Sequence, residues 1–103
     1  MAKFVALYAN PDDAEGFEQH MRSTHIPICE QWPGVQQIRV TRFSSTPRGT
    51  DAPYHLMFEA EFTSDEEMAA ALRSESGAES ARDAKAMAQQ YGVELTMLLG
   101  GDF

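Results

Sequence analysis

Apolar positions fall into four short strand-like runs separated by segments of helical spacing. Lys3 to Ala9 carries Phe4, Val5, Leu7 and Tyr8, apolar on both faces, and Asn10-Pro11-Asp12-Asp13 stops it with turn and capping residues, which predicts a first strand. Phe17, Met21, His25 and Ile28 then recur at helical spacing, and Trp32-Pro33-Gly34 ends that helix after about Gln31. Val35 to Ser44 alternates, with Ile38 and Val40 opposed to Gln37, Arg39 and Thr41, and predicts a second strand. Ser44 to Pro53, with two prolines and Gly49, is a loop. Tyr54, Leu56, Phe58, Ala60 and Phe62 alternate with His55, Met57, Glu59 and Glu61 in a third strand. Ser64 with Glu67 is a capping pair for a short helix that turns Met68, Ala71 and Leu72 inward. Ser76 with Glu79 opens another, whose inward stripe is Ala78, Ala81, Ala84, Ala88 and Tyr91. Gly92 caps it, and Val93 to Leu99 is the last strand, with Val93, Leu95, Met97 and Leu99 on one face.

This order, β-α-β-β-α-β, is the split βαβ arrangement of an α+β, ferredoxin-like fold, with a four-stranded antiparallel sheet and its helices on one side. One domain spans residues 1–103. Strands one, three and four are apolar on both faces, yet the helices cover only one, so a homodimer packed sheet against sheet is expected.

Composition narrows the class of partner. Sixteen acidic against eight basic residues give a net charge of −8, which argues against nucleic acid and anionic membrane surfaces, since phosphate binding needs clustered Lys and Arg. Cys29 is the only cysteine, so no intrachain disulfide forms and no thiol pair is present to hold zinc. No apolar run approaches the roughly 18 residues of a membrane span, and no leader pattern precedes the first strand. A cytoplasmic protein is expected.

His25 is the most informative position. A titratable ring falls on the buried stripe of a helix, two residues before Pro27, which has no N–H to give the carbonyl of Ser23 and crowds it. A neutral imidazole there can serve as general acid or base; the plainer role is to satisfy a carbonyl that Pro27 frees. His20 lies five residues earlier, which on an α-helix splays the two rings by roughly 140°, so no metal site is expected from them. Tyr8, Arg39 and Phe43 are candidate cavity residues, Arg39 offering a fork to a carboxylate or simply pairing with one of the acids. Tyr54 is a candidate to orient a substrate oxygen, with packing at the strand start as its plainer role. His55 reads as a solvated residue on the mixed face, and Cys29 as a small buried hydrophobe.

The chain also resembles the EthD family of the dimeric α+β barrel superfamily. The resemblance rests on the opening strand ending in Tyr8 before Pro11, the His25-Ile26-Pro27 unit late in the first helix, Pro33-Gly34, Thr46-Pro47, Pro53-Tyr54 and the Phe-rich end of strand three. It implies a dimeric barrel with a pocket between each sheet and its helices. It also implies kinship with cofactor-independent isomerases, polyketide cyclases, decarboxylases and monooxygenases, along with haem degraders and proteins of no assigned activity. Around His25 the chain is similar to the family's methylmuconolactone isomerases, which keep a pocket histidine at that place. Their further pocket tyrosine, histidine and cysteine correspond to Ile38, Asp51 and Ala60, so only the helix histidine carries over. The expectation is a small enzyme without cofactor or metal, with His25 as general acid/base and Tyr8, Arg39, Tyr54 and Phe43 about an aromatic, polyketide-like or lactone substrate. The alternative is a non-catalytic ligand-binding or accessory protein.

Overall fold

The computed structural model covers residues 1–103, and its strands pair as the alternation requires. The elements are β1 (Ala2–Ala9), α1 (Ala14–His20), a π-helical turn (Met21–His25), α2 (Ile26–Cys29), β2 (Gln37–Arg42), β3 (Tyr54–Phe62), α3 (Asp65–Arg73), α4 (Glu75–Tyr91) and β4 (Leu95–Gly101). The sheet order is β2-β3-β1-β4 and every neighbouring pair is antiparallel. This is the ferredoxin-like arrangement, with the helices on one face. No helix is long and apolar enough to cross a membrane.

Register decides which side chains meet the helices. Ala6 lies opposite Phe58 on β3 and Met97 on β4, so the even-numbered side chains of β1 and β3 share one face with the odd-numbered ones of β4. That face buries Ala2, Ala6, Tyr8, Leu56, Phe58, Ala60 and Phe62 against Phe17, Met21, Cys29, Trp32, Met68 and Met87. Trp32 anchors the layer: its ring stacks on Phe62 at 6.2 Å and meets Phe4 edge-on at 5.4 Å, while its Nε1–H donates to Ser80 at 3.0 Å. The other face carries Val5, Leu7 and Met57, all half-buried, with the more exposed Leu98, bordered by Lys3–Glu59 and Arg39–Glu61 ion pairs.

Three local readings of the sequence are corrected. α4 begins at Glu75 and is capped by Ser74, two residues before Ser76: the Ser74 hydroxyl accepts from the Gly77 N–H at 3.1 Å, and Gly77 lies so close to α3 that a Cβ would overlap the carbonyls of Ala71 and Leu72. Its buried stripe is therefore Gly77, Ser80, Ala84 and Met87, and Ala78 and Ala81 are exposed. β4 starts at Leu95 because Val93 still belongs to the helix cap. Gly92 takes the left-handed conformation, φ 62°, and both it and Val93 donate to the Ala88 carbonyl. The third correction is a bulge in β3. Tyr8 pairs with Leu56 and Ala9 with Tyr54, leaving His55 as the extra residue and swinging its ring from the mixed face toward α1. There it lies 6.1 Å from the Phe17 ring and bonds Glu18 at 2.8 Å.

Candidate functional site

The segment from Met21 to Cys29 builds the site. The Ile26 N–H donates to the carbonyl of Met21, five residues back, which widens the helix into a π turn just ahead of Pro27. The extra residue in that turn cancels the drift of an α-helix, so Phe17, Met21, His25 and Cys29, each four apart, are all buried, and Ile28 is only half-buried. His20 and His25, one i→i+5 step apart, are roughly one turn apart here, and the splay expected of an α-helix does not arise.

Both rings meet Asp83 of α4. His25 Nδ1 is 2.8 Å from Oδ2, and His20 Nε2 is 2.9 Å from Oδ1 and 3.1 Å from Oδ2. A carboxylate only accepts, so the ring nitrogens facing it carry the hydrogens, and Nε2 of His25 is left with its lone pair. The ring is therefore tied to a carboxylate of a different helix and not to a carbonyl freed by Pro27.

A cavity of about 220 Å³ opens between α4 and the β1–β4 half of the sheet, with His25, Tyr8, Phe4, Trp32, Leu95 and Met97 among its walls. Neither Nε2 of His25 nor the Tyr8 hydroxyl makes a hydrogen bond, yet no enclosed side-chain polar atom lacks a partner, so both atoms border open space. Burial holds the His25 imidazole below its ordinary value in spite of the opposing effect of the hydrogen bond it donates to Asp83. Burial, helped by the nearby Cys29 and Asp83, pushes the Tyr8 phenol well up, so it stays an O–H donor. A neutral base and a neutral donor thus share one apolar hollow.

The chain is similar to solved structures across its whole length. An EthD-family protein from Bacillus halodurans is 32% identical, with a TM-score of 0.90, covering 100% of this chain and 99% of the other. The chain belongs to the EthD family. SnoaB from Streptomyces nogalater, a cofactor-independent oxygenase, superposes with a TM-score of 0.69 at 14% identity over 99% of this chain and 92% of the other. HapK from Hahella chejuensis does so with a TM-score of 0.68 at 20% identity over 100% and 93%. At those identities the likeness shows the fold alone. No protein-family model and no curated protein matches the chain.

Within this EthD domain the sequence-predicted site residues separate. Tyr8 and His25 line the cavity together. Arg39 points from the opposite face, donating to Glu61 at 3.1 Å and to Gln37 at 3.0 Å. Half-buried Phe43 follows β2, exposed Tyr54 opens β3, and neither borders the cavity. Cys29 is fully buried, its thiol pushed up to about 12 by that burial. Glu18 draws together Arg22, Arg42 and His55 beside a separate cleft on β2. Asp83 and Trp32 are the site residues that sequence reasoning missed. The signal for Asp83 was its spacing, three residues after Ser80 and four before Met87, which puts it on the edge of the buried stripe.

Proposed function

We propose that this EthD protein is a small enzyme of the isomerase, cyclase, decarboxylase or monooxygenase type that needs no cofactor, with His25 as its general acid/base. The observation that carries this reading is the unpartnered Nε2 of His25 facing the cavity while Nδ1 is tied to Asp83. The step begins with an O–H or C–H bond of the substrate, whose proton passes to Nε2. The negative charge left on the substrate oxygen is met by the Tyr8 hydroxyl, which donates without ionising. A later return of the proton from Nε2 to another atom of the same molecule completes an isomerisation or a cyclisation.

The walls define the substrate class. They hold no lysine or arginine, so a carboxylate or phosphate finds no counter-charge, and Phe4, Trp32, Leu95 and Met97 suit a ring. The substrate in this proposal is an uncharged aromatic, polyketide-like or lactone molecule with one acidic hydrogen, which makes the decarboxylase type the least suited of the four to these walls. Arg39, Tyr54 and Phe43 have no part in it. A homodimer belongs to the same reading, with Val5, Leu7, Met57 and Leu98 of one sheet facing those of the partner.

The test is a panel of hydroxylated one- to three-ring aromatics and unsaturated lactones, followed by absorbance and oxygen uptake with wild type and His25→Gln. Turnover by wild type that falls by roughly 10²–10⁴ in the variant supports the assignment. Equal turnover in a folded His25→Gln protein contradicts it. Saturable binding with no turnover across the panel favours a carrier or accessory protein using the same cavity.

A further inference from the structure

Asp83 has two partners and both are histidines. No lysine, arginine or backbone N–H reaches its carboxylate; His25 takes Oδ2, and His20 spans Oδ1 and Oδ2. A carboxylate held by one donor alone turns about its own bond and offers either oxygen, or neither, to that donor. Held from a second side, it presents one fixed oxygen.

We propose that His20 is a positioning residue that acts through Asp83, its Nε2–H clamping the carboxylate so that Oδ2 fixes the hydrogen of His25 on Nδ1 and keeps Nε2 bare toward the cavity. The inference rests on the acid/base reading of His25 for its consequence, but its geometry stands apart from any substrate. His20 does not line the cavity, and its ring lies against Tyr91 at 5.7 Å on the half-exposed side of the helix layer. It therefore cannot contact a bound molecule, and its influence passes only through the carboxylate. The π turn is what makes this possible, because it brings a residue five positions before His25 to the same side of the helix. In an imidazole with no fixed partner the hydrogen divides between the two nitrogens, and a base with Nε2 already protonated accepts nothing from the cavity. The fraction of protein with bare Nε2 thus scales the apparent affinity for a hydroxyl-bearing ligand, as any fractionally populated competent state does.

The experiment compares wild type, His20→Gln and His20→Ala by long-range ¹H–¹⁵N correlation of the His25 ring nitrogens. Binding of 2-naphthol and of naphthalene is measured on the same samples, and circular dichroism confirms the fold. Expected is a Nδ1-protonated His25 in wild type and in His20→Gln, whose amide still donates to Asp83. In His20→Ala the Nε2 resonance moves toward the protonated position, and 2-naphthol affinity falls about threefold while naphthalene affinity holds. His25 resonances that are identical in His20→Ala and wild type overturn the proposal. So does a His20→Gln protein that loses as much as His20→Ala, since bulk and not donation would then be at work. If the tautomer responds as expected but wild type binds neither probe, the positioning role stands and the cavity's function falls.

Discussion

Asp83 Oδ2 stands 2.8 Å from Nδ1 of His25, a contact between α4 and the end of the π turn across 58 residues of chain. It converts a buried histidine from a solvation problem into an oriented one. The ring's polar side is satisfied within the helix layer, and its other nitrogen is given to the cavity.

Removing that carboxylate leaves two ring N–H groups short of an acceptor. Asp83→Ala is expected to lower unfolding free energy by about 1–3 kcal/mol, the cost of stranding partly buried donors. Asp83→Asn, which keeps one acceptor, is expected to lose less. Urea denaturation followed by circular dichroism measures both; an Asp83→Ala protein as stable as wild type would show the cluster to be idle.

Stability should depend on His25 in a defined pH window. Its folded-state value lies below the ordinary 6.5, so between the two values the unfolded chain binds more proton than the native one. The contribution of the neutral ring is therefore fully present above 6.5 and is lost as pH falls through the depressed value. Thermal unfolding from pH 7.5 to 5 should show a steeper decline in wild type than in His25→Gln. Parallel slopes would mean that the ring is no more costly to protonate in the fold than out of it.

Glu18 titrates in the opposite sense to a buried acid. Burial pushes its carboxyl up, but hydrogen bonds from Arg42 and His55 and their charges outweigh this and hold it below its ordinary 4.5. The stability it lends is present above 4.5 and is lost as pH falls through the lowered value. Glu18→Gln is expected to flatten acid unfolding below pH 4.5 and to cost on the order of 1 kcal/mol at pH 7. An acid limb unchanged from wild type is the contrary result.

Cys29 should be inert. With its side chain enclosed and its thiol pushed up to about 12, almost no thiolate is present at pH 8. Ellman's reagent is expected to label the native protein at least about 100-fold more slowly than the urea-unfolded chain. Comparable rates would place the thiol in reach of solvent.

The open sheet face gives a separate test of assembly. Leu7 sits opposite Met57 at its apolar centre, so Leu7→Glu places a charge where the partner sheet would lie. Sedimentation is expected to give two chains per particle for wild type and one for the variant. A wild type that sediments as one chain at micromolar concentration contradicts the homodimer.

Much of the fold was legible because strand alternation is a strong local signal. β3 runs from Tyr54 to Phe62 as its pattern reads, and Ser64 caps α3 with a hydroxyl that accepts from the Glu67 N–H. Phase was harder to read. The α4 stripe reads correctly at Ala84, Ala88 and Tyr91, but its first two positions are Gly77 and Ser80 in place of Ala78 and Ala81, because nothing local tells Ser74 from Ser76 as the cap; the close approach of Gly77 to α3 decides it. Of the site, Tyr8 and His25 were readable as inward polar tips on apolar stripes. Asp83 was not, because an acid on an exposed-looking helix reads as solvated until its partners across the layer are known. The π turn and the β3 bulge were hidden for a related reason: each adds one residue to a regular element, and a one-residue shift reverses any expectation about His20, His55 or Ile28 that rests on spacing.

In the acid/base proposal Nε2 of His25 is a bare base opening on a ligand cavity. Its ¹⁵N resonance, followed together with that of Nδ1 while 2-naphthol is titrated into wild type at pH 7.5, reads that state in the free and the bound protein. A saturable shift of Nε2, with Nδ1 still protonated, is the expected result. An Nε2 that already carries the hydrogen in the free protein, or stays unmoved while naphthol saturates, would contradict it.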